Sequence, residues 1–209
     1  MQWKGIAASC AAWAVSCAAI AVPSDGGFEK AQPSVDARML VEWIRHSGDA
    51  TGRPFMVVDK KAARVFVFEA SGRLRAGTPA LLGAARGDTS VPGVGDRAQS
   101  GALQPGDMTT PAGRFVSHPG RNLDGEHVIW IDYAAALAVH RLRPGRSEAS
   151  RASRLQSTKP QARRVSLGCV VVPVPFYLDV IEPIFGSRRG VVYVLPETQE
   201  GRDLFTQLL

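Results

Sequence analysis

Cysteine and histidine, the residues that staple or metallate small exported folds, are scarce in this chain of 209 residues. Of the three cysteines, Cys10 and Cys17 lie within an N-terminal apolar run, and only Cys169 lies in the body of the sequence. One body cysteine excludes an internal disulfide framework. The four histidines stand far apart and away from Cys169, which gives no zinc-ligand spacing, so no zinc site is expected. Internal repeats are also lacking, and aromatics make up only 7%. The hydrophobic content of 45% nevertheless excludes wholesale disorder and leaves enough apolar side chain for one core.

Residues 1–21 read as a leader. Lys4 supplies a positive charge, Gly5 to Ala21 carry none, and Ala19-Ile20-Ala21 offers the small-x-small pattern of a cleavage site. Cleavage after Ala21 predicts an exported protein of the periplasm or cell envelope, with no membrane span in its mature form. Ala14-Val15-Ser16-Cys17 only loosely resembles a lipobox, so lipidation at Cys17 is the lesser alternative. Losing Lys4 takes the formal charge from +6 to +5, still basic. Outside the cytoplasm that balance favours cell-wall polymer or anionic headgroups over nucleic acid. A lone thiol in an oxidising compartment is either buried and inert or kept for its chemistry.

The rest divides into a linker and N-terminal helix (22–53), one β-rich domain (54–196) and a C-terminal tail (197–209). Ser34 can cap a helix running to Ser47, with Met39, Leu40, Trp43 and Ile44 on its apolar face and His46 at its end. Phe55–Val58 and Arg64–Glu69 read as a hairpin. Further strands are expected near 114–117, 128–132, 138–141, 165–172 and 191–195. The Gly-rich stretch 83–113 lacks periodicity and reads as surface loop. A last helix starts at Pro173 and Pro175, carries Phe176, Val180, Ile181 and Ile184, and stops at Gly186.

Chemistry concentrates in Arg164-Val165-Ser166-Leu167-Gly168-Cys169, where a cysteine follows a glycine at the end of an apolar strand. Gly168 permits close approach of a substrate, and nearby N–H groups could face an oxyanion. Upstream, Leu137-Ala138-Val139-His140-Arg141 puts a histidine in a strand. A neutral imidazole within reach of a thiol would generate the nucleophilic thiolate. His118 and His127, in polar surroundings, are expected at the surface.

These residues resemble the L,D-transpeptidase (YkuD-like) catalytic domain, whose signature is an upstream histidine followed by Ser/Thr-His-Gly-Cys. His140, Ser166, Gly168 and Cys169 match it, and Thr110-Pro111-Ala112-Gly113-Arg114-Phe115 is similar to the family's TPxGxF stretch. The resemblance covers roughly residues 54–196 and implies a mostly-β, sandwich- or barrel-like single domain with a few short helices. It implies an acyltransferase with Cys169 as nucleophile and His140 as base, whose reaction needs no metal or organic cofactor. Ser166, Gly168, Arg164 and Arg141 would lie toward the substrate or oxyanion. The substrates implied are peptidoglycan stem peptides, with a second stem, an envelope protein or water as acceptor.

Two departures stand out: Leu167 replaces the motif histidine, and Val171 replaces a polar residue. Leu167 cannot donate a proton or a hydrogen bond. The stretch from Arg141 to Arg164 is longer than the family's spacing and carries eight basic residues against the single acid Glu148. It reads as a solvated flexible loop, with a lid over the site as the alternative. Three functions therefore stay open: an active transpeptidase or carboxypeptidase, a pseudoenzyme that binds wall peptides, and a thiol acyltransferase or hydrolase on another envelope substrate.

Overall fold

The computed structural model describes residues 26–198, so the leader with Cys10 and Cys17, and the tail beyond Thr198, lie outside the described residues. In chain order the elements begin with α1 (Gly26–Lys30), α2 (Val35–Ser47), β1 (Phe55–Asp59), β2 (Arg64–Phe68), β3 (Leu74–Pro79) and β4 (Leu82–Gly83). There follow α3 (Val94–Ser100), β5 (Gly113–Val116), β6 (His118–Arg121), β7 (His127–Asp132), β8 (Leu137–Arg141) and α4 (Glu148–Gln156). The chain then forms β9 (Arg164–Ser166), β10 (Val170–Val172), a helical segment from Val174 to Phe185, and β11 (Val191–Val194). The molecule is mostly β with short helices, and among the described residues no helix is long and apolar enough to cross a membrane.

Two sheets make the body, one ordered β3-β2-β1-β11-β5 and the other β10-β8-β7-β6. Strand periodicity explains their packing. In β1, Met56 and Val58 face the second sheet, while Phe55 and Val57 face the opposite side. Between the sheets, Met56, Val65, Val67, Val192 and Val194 meet Ile129, Val139, Val170 and Val172 in one buried core. On the far side of the first sheet, α2 covers Phe55, Phe66, Phe68 and Tyr193 with Leu40, Val41 and Ile44. Ser34 caps α2 by accepting from the Ala37 N–H at 3.1 Å, and Gly48 ends it in the left-handed conformation. The buried face includes Ala37 in place of the expected Met39, which is exposed.

Several expectations are corrected. Stretch 83–113 is not simply surface loop: it contains α3 and a 3₁₀ turn at Pro105–Asp107 joined by Arg97 to Asp107. The stretch 141–164 is folded as α4 and a second 3₁₀ turn (Pro160–Arg163), held by buried Leu155 and Arg163. Arg163 donates to the carbonyls of Ala62 and Ala63 at 3.1 and 3.0 Å, which ties this insert to the β1–β2 hairpin. Segment 165–172 is two strands with a break at 167–169. His127 is half-buried and bonds the Tyr177 hydroxyl at 2.9 Å, whereas His118 is exposed as expected.

The last helical segment changes pitch through a π-turn at Tyr177–Ile181. Pro183 has no N–H to offer the carbonyl four residues earlier, which accounts for the local widening. Its buried side chains Tyr177, Ile181 and Phe185 still join the inter-sheet core.

Candidate active site

Cys169 and His140 reach one cavity because of strand parity. β10 runs parallel to β8 with Val170 level with Val139 and Val171 with His140. Val139 and Val170 point into the core, so Ala138, His140, Cys169 and Val171 must point out the other way. That outer face floors a cavity of ≈ 470 Å³, lined among others by His140, Cys169, Trp130, Arg143 and Arg151. Leu167, at the place of the motif histidine, is exposed and also lines it.

The turn that carries the cysteine is braced from both sides. Gly168 has φ 126°, and a Cβ there would lie 3.0 Å from the Thr109 carbonyl oxygen, so a side chain would be strained and crowded. Ser166 Oγ accepts from the Gly168 N–H at 3.2 Å and donates to the Cys169 carbonyl at 2.6 Å. Thr110 Oγ1 donates to the Gly168 carbonyl at 2.7 Å and accepts from the Gly83 N–H at 2.9 Å. Ser166 thus spends its hydroxyl on its own turn and does not orient His140. The Gly168 N–H is likewise committed, which removes one expected oxyanion donor.

The two reactive groups rest uncharged. Burial holds the His140 pKa down to about 4, reinforced by the Arg143 and Arg151 charges and opposed by the Arg141 carbonyl and Glu126. Its Nδ1 lies 2.8 Å from the Arg141 carbonyl oxygen. That contact requires the proton on Nδ1 and leaves Nε2 as the basic nitrogen. Burial pushes the Cys169 thiol up, against smaller opposing effects of a backbone hydrogen bond at Ala138 and the Arg143 charge. The thiol contacts the Ala136 carbonyl oxygen at 3.5 Å. Among the described residues no hydrogen bond joins Cys169 to His140, and the resting state is thiol beside imidazole, with no ion pair.

The arginines sort differently from expectation. Arg141, next in strand to His140, takes the opposite parity and lies 3.6 Å from Glu126. Arg164 is turned away from the cavity, bonding the Ala85 carbonyl at 3.0 Å and Glu197 at 2.5 Å. Neither lines the cavity. Arg143 and Arg151 do, and both come from the insert after β8. Arg143 is paired with Glu126 at 2.7 Å. Arg151 donates to the Arg143 carbonyl at 2.9 Å and has no carboxylate partner among the described residues. Parity along β8 could have excluded Arg141 from the sequence alone, but nothing local singles out Arg151.

No family model and no curated protein matches the chain. Among solved structures, an L,D-transpeptidase, LdtMt1 in complex with imipenem, is similar at 16% identity and a TM-score of 0.39, over 68% of this chain and 58% of its own. The Ldtfm–avibactam carbamoyl enzyme is similar at 17% identity and a TM-score of 0.37, over 69% of this chain and 49% of its own. Similarity at this level leaves the case for a function to the residues of the site.

Proposed function

We propose that this protein is a cysteine acyltransferase of the L,D-transpeptidase type acting on peptidoglycan stem peptides in the cell envelope. The observation that carries the reading is the placement of Cys169 and His140 on one sheet face, in one cavity, with the cysteine on a braced glycine turn. His140 Nε2 takes the thiol proton as Sγ bonds to the carbonyl carbon after the third stem residue. The C–N bond to D-Ala breaks, and its amine leaves with the proton from His140. An acceptor amine, or water, then attacks the thioester, gives its proton to His140 and restores the thiol. Arg143 and Arg151 supply positive charge near the reacting centre, where the depressed pKa of His140 already registers them.

Because both groups rest neutral, the proton moves only as the substrate arrives, and burial makes an early thiolate unfavourable. Two observations favour a second reading, a pseudoenzyme that binds wall peptides. Leu167 places an apolar side chain at the cavity where the family has a histidine, and the thiol contacts the Ala136 carbonyl, with no hydrogen bond to His140 among the described residues.

Mass spectrometry of the protein incubated with a disaccharide-tetrapeptide separates the readings. Wild type is expected to release D-Ala and carry a transient acyl adduct on Cys169, and Cys169→Ala and His140→Ala to do neither. Binding of the substrate by a folded wild type without release or adduct would leave the pseudoenzyme.

A further inference from the structure

We propose that the open groove beside the cavity, built on Trp130 and Tyr133, is a subsite for a pyranose ring of the glycan strand, resting on the reading above that a stem peptide occupies the cavity. The sheet itself connects the two. Val170 is level with Val139, so one residue back Cys169 falls level with Ala138; Ala138 pairs with Trp130, and Trp130 with His118. These positions form one row on the outer face, beginning at Cys169 just before β10 and crossing β8, β7 and β6. At about 4.8 Å per strand, Trp130 stands roughly 10 Å from Cys169 and His118 one strand further. A ligand lying across the strands with its scissile carbonyl at Cys169 therefore runs over Trp130. That residue lines both the cavity and the groove.

The groove has the make-up of a sugar platform. Tyr133 is 73% exposed and meets Trp130 edge-on, with ring centroids 5.0 Å apart and planes at 69°. A solvent-facing aromatic of this kind, held in place by a second ring, presents a π-face to polarised C–H groups without a deep apolar pit. The indole is itself fixed: a Cβ on Gly120 would come within 2.8 Å of it, so only glycine lets the ring lie against β6. Hydroxyl partners flank the rings. Asp132, whose Oδ1 accepts the Ala135 N–H at 3.1 Å, and exposed His118 both line the groove. A platform with polar flanks at one end of a row that begins at the nucleophile suits an amphiphilic ring such as an N-acetylated sugar.

The test is titration of the peptide-free β-1,4-linked N-acetylglucosamine tetramer into wild type, Tyr133→Ala and Trp130→Ala, read by calorimetry and by the Trp130 indole resonance. Saturable binding by wild type is expected, weakened about tenfold by Tyr133→Ala and more by Trp130→Ala. Exposed Tyr133 can be truncated without disturbing the fold, so an unchanged melting temperature keeps that arm interpretable. No tetramer binding, or equal binding by wild type and Tyr133→Ala, would overturn the subsite. The stem-peptide reading fails separately: tetramer binding without D-Ala release from the disaccharide-tetrapeptide removes the reaction and leaves the glycan site. Release of D-Ala at the same kcat/KM from substrates with and without the disaccharide, in the absence of tetramer binding, removes the subsite and leaves the reaction.

Discussion

His140 keeps a neutral ring where two guanidinium groups share its cavity, and that neutrality has a measurable cost in acid. Its pKa is 6.5 when unperturbed and about 4 in the folded chain. Between those values the unfolded chain binds a proton that the folded chain refuses, so stability falls as pH drops below about 6.5 and levels off below about 4. The full loss from this one group amounts to about 3 kcal/mol, of which about 2 kcal/mol is gone by pH 5. Urea midpoints measured at pH 7.5 and 5.0 should therefore converge for wild type and His140→Gln at the lower pH relative to the higher. An unchanged difference between the two proteins across that range would mean that the folded imidazole titrates at its unperturbed value, whereas a difference that widens at pH 5.0 would mean that it already holds its proton at pH 7.5. That would restore an imidazolium–thiolate pair and change the proton sequence proposed for catalysis.

The elements around the site divide by how they are held together, and this decides which of them the sequence reveals. β1, β2, β10 and β11 are buried runs of valine and phenylalanine, and their side chains announce the strands. α4 buries only Leu155 among its nine residues, so no apolar period marks it, and its order comes from Arg163 and from packing on Leu81 and Leu142. The same holds for stretch 83–113, which is organised by Arg97–Asp107 and by Thr110 beneath the cysteine turn. Cys169 and His140 were legible because their residue types carry the chemistry. Arg143 and Arg151 were not, because only the folded insert brings them over β8. Their effect can be read without any peptide substrate, by comparing alkylation of Cys169 with iodoacetate and with iodoacetamide. Arg151→Gln should lower the anionic-to-neutral rate ratio by about fivefold at low salt, with the difference shrinking at high salt. An unchanged ratio would mean that Arg151 does not project its charge to the thiol.

Across the whole molecule, one buried ion cluster joins segments that are distant in sequence and ends at the nucleophile's turn. Lys60, at the end of the first strand of the β1–β2 hairpin, donates to Asp88 and to the Gly87 carbonyl at 2.6 Å and to the Thr110 carbonyl at 2.8 Å. Asp88 in turn accepts the N–H groups of Glu197 and Thr198, which fastens the chain after β11. Glu197 meets Arg164 at the start of β9, and Thr110 holds Gly168 through its hydroxyl. Burial depresses the Lys60 pKa, while Asp88, with hydrogen bonds from Lys60 and Thr198 outweighing its own burial, is held below the usual carboxylate range. The side chains of Lys60, Asp88 and Glu197 are at most 3% exposed, so removing the cation leaves two carboxylates with little solvent. Lys60→Met should cost about 3–5 kcal/mol and lower the melting temperature by roughly 10 °C. It should also loosen the Thr110 carbonyl and, through it, the turn, so that Cys169 reacts faster with a neutral disulfide reagent under native conditions. The double variant Lys60→Met, Asp88→Asn should recover part of the lost stability, because it removes an unpaired buried charge. Were Lys60→Met to cost less than about 1 kcal/mol and leave thiol reactivity unchanged, the cluster would be dispensable, and the strand register alone would be holding Cys169 over the cavity.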